Sequence, residues 1–122
     1  MTQVPQGVQH VAMAMELAQN ARDAISGLAD VEQQWKADAD ERLSRTLAML
    51  SENAERYFLK TRMCLPFARR SEEAARSLEA TLAALVASST DGQADVSTAL
   101  AALEKAVRTL DERSQMRGMA IT

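Results

Sequence analysis

Cysteine and histidine, from which many metal and nucleophilic sites are built, are almost missing from this chain. Its 122 residues contain one cysteine, Cys64, and one histidine, His10. A lone cysteine cannot form an internal disulfide, and the pair gives no metal-ligand spacing. The chain also lacks the Glu-x-x-His motifs of di-iron bundles, a glycine-rich phosphate loop and a nucleophile-elbow serine motif. We therefore expect no metal, no cofactor and no enzymatic activity.

Glycine, proline and aromatic residues are scarce as well, at four, two and 3% of the chain respectively. Hydrophobic residues nevertheless make up 47% of it, and most are Ala, Leu, Val and Met. This composition contains few residues that interrupt helices and is typical of long, closely packed ones. Because the length suits a single core, we predict one all-α domain covering residues 1–122.

Long apolar runs are absent too. No segment of about 18 consecutive apolar residues occurs, so we predict no transmembrane helix. The first residues, MTQVPQGVQHVAMAMELAQ, lack the basic region and the uninterrupted apolar core of a secretory signal peptide. These absences, together with the single cysteine, predict a cytoplasmic protein.

Apolar residues at alternating steps of three and four predict four helices, at about residues 5–26, 30–65, 71–88 and 96–117. We expect an antiparallel bundle of about four helices with a long central helix and coiled-coil-like seams. Pro66 should end the second helix, and Ser71 should begin the third. The second helix is the most regular, because a heptad spacing joins Leu43, Leu47, Leu50, Ala54, Tyr57, Thr61 and Cys64.

Two interpretations fit the connection between the first two helices. Gly27, followed by a capping-box pattern at Asp30 and Gln33, predicts a tight turn. The apolar residues from Ile25 to Trp35 instead keep one helical face, as a continuous helix would. An interior glycine would cost that helix roughly 1 kcal/mol, which packing can offset. We favour the turn.

Charged residues indicate which side of each helix meets water. Asp38 with Arg42, and Glu41 with Arg45, are acid-first i,i+4 pairs that predict the solvated side of the second helix. Arg22 falls within the apolar stripe of the first helix. It must either reach the edge of the bundle or pair with an acid across an interface.

The most unusual stretch is RYFLKTRMCLPFARR, from Arg56 to Arg70. It contains five cationic side chains, no acid and three of the four aromatic residues, in a chain of net charge −3. Cations at the end of the second helix would complement its dipole, but Arg69 and Arg70 would begin the third helix, where the dipole disfavours them. The stretch therefore suggests a docking site built from Arg56, Lys60, Arg62, Arg69, Arg70 and Phe67.

A second apolar face of the second helix extends this candidate site. Met49, Leu59 and Met63 lie close together on the helical wheel and away from the heptad seam. If unbroken, this helix would be about 54 Å long, more than its neighbours could cover. The mismatch predicts self-association, a break in the helix, or a partner that covers the remainder.

The single residues with chemical potential are assigned structural roles. Cys64 lies on the seam, so we expect a small buried hydrophobic residue rather than a nucleophile. His10 should lie at a helix edge. Trp35 shares a face with Leu28 and Val31, which predicts a place in the core.

The sequence thus predicts a non-enzymatic helical interaction or adaptor protein that binds a protein partner through the basic bend and the second apolar face, and that also self-associates. One alternative is a nucleic-acid-binding accessory protein that uses residues 56–70, with Tyr57, Phe58 or Phe67 stacking on bases. Nucleic acid is disfavoured because the rest of the chain carries −8, from −3 minus +5. The other alternative is a structural coiled-coil assembly element, in which the basic stretch meets acids such as Asp38, Asp40 and Glu41 of another copy.

Overall fold

Four helices form the described part of the chain. The computed structural model describes residues 6–29, 31–55, 64–88 and 92–121, and the side chains of these ranges except 87–88 and 116–121. Helix α1 spans Gln6–Ser26, α2 spans Gln33–Ala54, α3 spans Leu65–Ser88 and α4 spans Gln93–Ile121. These ranges contain no strand. The predicted all-α class and the bundle of four helices are confirmed.

The four helices form two antiparallel hairpins, α1–α2 and α3–α4, which pack side by side. Within the described ranges, α1 packs against α2 and α3, and α4 packs against α2 and α3. The contacts between the hairpins join residues whose numbers rise together: His10 with Glu72, Asn20 with Glu79, Trp35 with Ser97, Arg42 with Glu104 and Asn53 with Asp111. Two of the four neighbouring pairs are therefore parallel, and the chain between Ala54 and Leu65 joins helices at opposite corners.

This topology gives the bundle two unlike ends. The loop end contains the end of α1, the start of α2, the end of α3 and the start of α4, so it carries both hairpin turns. The crossover end contains the start of α1, the end of α2, the start of α3 and the C-terminal part of α4. An antiparallel bundle whose sequence neighbours are all adjacent needs only short connections, whereas the longer chain between α2 and α3 permits the diagonal step.

The predicted turn between α1 and α2 is confirmed, and the continuous helix is wrong. The Gly27 N–H donates to the carbonyl oxygens of Asp23 and Ala24, each at 3.2 Å, and closes the end of α1. The residue that precedes α2 is Glu32, which makes no side-chain cap hydrogen bond. Asp30, the predicted cap, lies outside the described residues. The Lys36 ammonium stabilises the turn by donating to the Leu28 carbonyl at 2.7 Å.

The predicted boundary between the second and third helices is wrong. Helix α2 ends at Ala54 rather than near residue 65, and at 22 residues it is shorter than α4, with 29. Helix α3 begins at Leu65, so Pro66 lies in its first turn, where a missing N–H costs no helical hydrogen bond. Ser71 lies inside α3 and donates to the Phe67 carbonyl at 3.2 Å. The prediction of one long helix failed because the heptad spacing continues past the end of α2 as far as Cys64. Two residues of that spacing, Tyr57 and Thr61, lie outside the described residues.

The predicted start of the fourth helix is also slightly late. Helix α4 begins at Gln93 instead of residue 96, and it continues past the predicted end near residue 117 to Ile121. The five apolar residues that alternate by four and three along it are all buried: Val96, Leu100, Leu103, Val107 and Leu110.

Buried side chains step by four and three along every helix, but those of α2 differ from the predicted set. Leu43 and Leu50 are buried as expected, whereas Leu47 is only half-buried. Thr46 and Asn53 take the intervening core positions, and both are polar. The apolar spacing alone predicted Leu47 as a core residue. The face of α2 that packs against the other helices instead includes the polar residues Thr46 and Asn53.

Candidate docking site

The residues predicted to form the docking site are only partly brought together. Phe67, Arg69 and Arg70 lie in the first two turns of α3, at the crossover end. Met49 lies on α2, at the opposite corner of the bundle, where it is half-buried and packs against the core. The other predicted members, Arg56, Leu59, Lys60, Arg62 and Met63, lie outside the described residues.

Phe67 holds two arginines from different helices. The guanidinium carbon of Arg70 lies 5.6 Å from the centre of the Phe67 ring, and that of Arg113 lies at the same distance. Such contacts attract a cation to the face of an aromatic ring. Arg113 was missed as a site residue by sequence reasoning, because only the α3–α4 hairpin brings the C-terminal part of α4 beside the start of α3. We call Arg69, Arg70 and Arg113, all exposed, the arginine cluster.

The arginine cluster has no carboxylate partner among the described residues, unlike Arg22, Arg42 and Arg76. Arg45 and Arg108 also form no such pair there, but in the described part of the chain it is in the arginine cluster that one aromatic ring contacts two arginines. Arg22 pairs with Asp40 at 2.7 Å, and Arg76 pairs with Glu72 at 3.4 Å. Arg69, Arg70 and Arg113 form no such pair among the described residues. The first turn of α3 also has no acidic residue, so its dipole adds to the positive potential there.

Two arginines elsewhere join helices. Arg22 connects α1 to Asp40 of α2, which settles the two alternatives for this residue in favour of an ion pair between helices. Arg42 donates through Nε to Glu104 of α4 at 3.1 Å, while Asp38, its predicted partner, is 3.8 Å away. The hydrogen bond from Arg22 lowers the pKa of Asp40, and the bond to Glu104 raises the pKa of Arg42. These pairs stabilise the fold.

No protein family, curated protein or solved structure matches this chain. Its function must therefore be argued from its own residues.

Beneath the arginine cluster the core contains polar side chains. Asn53, Ser71 and Ser114 are buried near the crossover end. Asn53 donates to the Met49 carbonyl at 2.8 Å and to Asp111 at 2.9 Å. Within the described part of the chain, its own Oδ1 accepts no hydrogen bond and Ser114 Oγ has no partner. An unpaired buried polar atom costs about 1–3 kcal/mol. The crossover end is therefore the less well satisfied end of the described core.

Cys64, at the start of α3, is fully buried, as predicted. His10 is half-buried and contacts Glu72, with 3.2 Å between Nδ1 and Oε1. Trp35 is half-buried, packs against the core and donates to Ser97 at 3.0 Å. All three residues are therefore buried or half-buried within the bundle, as the structural roles assigned to them require.

A groove between α3 and α4 is a second concave feature. Its volume is about 640 Å³, and small neutral side chains dominate its lining: Ser77, Ala80, Thr81, Ala84, Thr98, Ala99 and Ala102. Among the described residues that line it, Asp95 is the one that carries a charge. The groove has no convergent polar groups of the kind that fix a small ligand.

Two further kinds of feature, metal sites and membrane-spanning helices, concern the same ranges. The described residues contain no group of three or more His, Cys, Asp or Glu side chains placed to hold a metal ion. No helix in the described part of the chain is both long enough and apolar enough to cross a membrane.

Proposed function

We propose that this chain is a non-enzymatic helical interaction protein whose crossover end binds an acidic segment of a partner protein. The observation that carries this proposal is the arginine cluster on and beside Phe67. Three exposed guanidiniums lie at one end of the bundle without a carboxylate from the described residues. A carboxylate-bearing partner would supply the charge that is missing there.

The chemistry of arginine supports a carboxylate ligand. A guanidinium presents a rigid, planar set of donors that matches a carboxylate with two parallel hydrogen bonds. Contact with Phe67 restricts Arg70 and Arg113 before binding, which reduces the side-chain entropy lost on association. The further cations predicted for the site, Arg56, Lys60 and Arg62, would enlarge the same patch, and Leu59 and Met63 would add adaptable apolar contact.

A protein partner is favoured over nucleic acid. The chain has net charge −3, a field that opposes a long polyanion while tolerating a short acidic segment. Phe67 already contacts two guanidiniums, so base stacking on this ring would have to displace them. Tyr57 and Phe58, the other candidates for stacking, lie outside the described residues.

A second copy of the chain is an alternative partner, because exposed acids of one copy can pair with the arginine cluster of another. Such acids lie towards both ends of the bundle: Glu32, Asp38, Glu41 and Asp95 towards the loop end, and Glu52, Glu55, Glu73 and Glu112 towards the crossover end. Pairing of the loop-end acids with the arginine cluster of the next copy is head to tail, which gives an open assembly rather than a closed dimer.

Charge reversal with a matched control tests the proposal. The test variant combines Arg69→Glu, Arg70→Glu and Arg113→Glu. The control combines Arg45→Glu, Lys105→Glu and Arg108→Glu, three exposed cations in the middle of α2 and α4 that produce the same change in net charge. Both are compared with wild type in affinity capture from a lysate of the source organism, with and without nuclease, and in titration with a glutamate-rich peptide.

The proposal predicts that a partner protein and the peptide bind wild type and the control but not the test variant, whatever the nuclease treatment. Identical profiles for the three proteins would overturn it. Capture that disappears with nuclease would replace it with nucleic-acid binding, and capture of the untagged chain itself would identify the second copy as the partner. Circular dichroism of both variants confirms that helicity is retained.

A further inference from the structure

We infer that the crossover end opens locally while the loop end stays packed, and that this opening uncovers buried surface beside the arginine cluster. The opening itself is independent of the proposed function. Its role, to add newly uncovered surface to the docking site, rests on that function.

The sizes of the core side chains differ between the two ends. The outermost buried residues at the crossover end are small or polar: Gly7, Asn53, Cys64, Ala68 and Ser114. Those at the loop end are apolar and mostly larger: Ile25, Ala39, Leu82 and Val96. Separating helices at the crossover end therefore exposes less apolar surface than separating them at the loop end. The free energy that the hydrophobic effect contributes against opening is correspondingly smaller there.

Unpaired polar atoms lower the cost of opening further. In the closed bundle, Asn53 Oδ1 accepts no hydrogen bond from a described residue, and Ser114 Oγ neither donates to nor accepts from one. Both would be hydrated in an open state, so opening recovers interactions that the closed state lacks. Unpaired polar atoms of this kind do not occur among the described residues of the loop end.

Connectivity acts in the same direction. Both short turns, after α1 and after α3, lie at the loop end and tie each hairpin together there. At the crossover end the helices are joined by side-chain packing and by a longer segment of chain. Regions with few buried apolar contacts are generally the ones that open locally.

Cys64 provides a direct probe, because it is the single cysteine and is fully buried at the crossover end. The rate at which its thiol reacts with a disulfide reagent is compared with the rate that global unfolding, measured in urea, would allow. The reference is a Cys64→Ala chain that carries Ala39→Cys, a buried position near the loop end; Ala21→Cys replaces it if that variant folds poorly.

The inference predicts that Cys64 reacts more than about tenfold faster than global unfolding allows, with a weak dependence on urea, while the loop-end thiol follows global unfolding. Ser114→Ala should slow the Cys64 reaction about fivefold, because it removes an unpaired hydroxyl from the closed state. Ser71→Ala, which removes a hydroxyl that is paired in the closed state, should change the rate less than about twofold.

Cys64 kinetics that match global unfolding would overturn the inference, as would equal effects of Ser114→Ala and Ser71→Ala. The measurement needs no partner, so a failure of the proposed docking function leaves its outcome unchanged. Conversely, loss of capture in the arginine-cluster variant with unchanged Cys64 kinetics would support docking independently of the opening.

Discussion

The two ends of this bundle differ in how they use charge and packing. Near the loop end, Arg22 pairs with an acid of a neighbouring helix, and the core is built from large apolar side chains. At the crossover end, the arginine cluster has no acid among the described residues, an aromatic ring holds two of its members, and the buried residues are small or polar. The half of the bundle towards the loop end therefore contributes most to stability. The crossover end contributes less and presents exposed arginines that no described acid pairs with.

This difference between the two ends has a thermodynamic basis. A domain of this size is stable by only about 5–15 kcal/mol, so an end with unpaired polar atoms must be supported by packing elsewhere. The hairpin turns and the leucine-rich layers provide that support. Substitutions at matched positions in the two halves can therefore test the comparison.

The largest expected difference comes from truncating one core residue at each end. Leu82→Ala removes a side chain that is 2% exposed near the loop end, and we expect a loss of about 3 kcal/mol in the free energy of unfolding. Cys64→Ala at the crossover end should cost about 1 kcal/mol, since less apolar volume is removed. Urea denaturation of both variants measures the two costs, and equal losses would contradict the difference between the cores.

The next effect distinguishes paired from unpaired arginines. Glu104→Ala removes the main acidic partner of Arg42 and should destabilise the fold by about 1.5 kcal/mol, because both side chains are largely buried and the guanidinium loses its hydrogen bonds. Arg113→Ala should cost about 0.5 kcal/mol or less, since an exposed cation over a ring contributes little. Thermal unfolding at one pH and one salt concentration measures both. If Arg113→Ala were the more destabilising change, the arginine cluster would belong to the fold.

Much of the fold could be predicted from the sequence, because the apolar spacing of each helix is strong and local. Helix α4 shows this best, since the apolar residues that alternate by four and three from Val96 to Leu110 are all buried. The boundary between α2 and α3 could not be predicted in this way. A periodic apolar face records which side of the chain is buried, and it stays in phase here across a break between two helices.

The candidate site was predictable in part for a similar reason. Arg69, Arg70 and Phe67 stood out by composition within one short stretch. Arg113 joins them only through packing of α4 against α3, and Asn53 and Ser114 carry no sequence signal that separates a buried polar residue from an exposed one. Contacts between distant segments depend on the topology. The spacing of apolar residues along each helix does not predict that α2 and α3 lie at opposite corners of the bundle.

A smaller effect of opposite sign is expected at the crossover end. Ser114→Ala should raise the free energy of unfolding by about 1 kcal/mol, because the serine hydroxyl is buried and has no partner among the described residues of the folded chain. Ser71→Ala, with its hydroxyl bonded to Phe67, is the control and should be close to neutral. Urea denaturation measures both. A loss of stability in Ser114→Ala would mean that this hydroxyl is satisfied when the protein is folded.

The smallest effect concerns the loop-end pair of Arg22 and Asp40 and depends on pH. The hydrogen bond from Arg22 lowers the pKa of Asp40 in the folded state, so in acid the unfolded chain takes up this proton before the folded one does. The contribution of the pair is therefore complete above the ordinary aspartate pKa of about 3.9 and is lost as the pH falls through the lower folded value. Asp40→Asn should be slightly less stable than wild type at neutral pH, and the gap should close below about pH 4. Repeating the series in an Arg22→Met background should remove the pH dependence of the gap. If the stability difference between Asp40 and Asp40→Asn still depended on pH in that background, another neighbour of Asp40 would be the cause. The acid sensitivity of the loop end would then not come from the pair of Arg22 and Asp40.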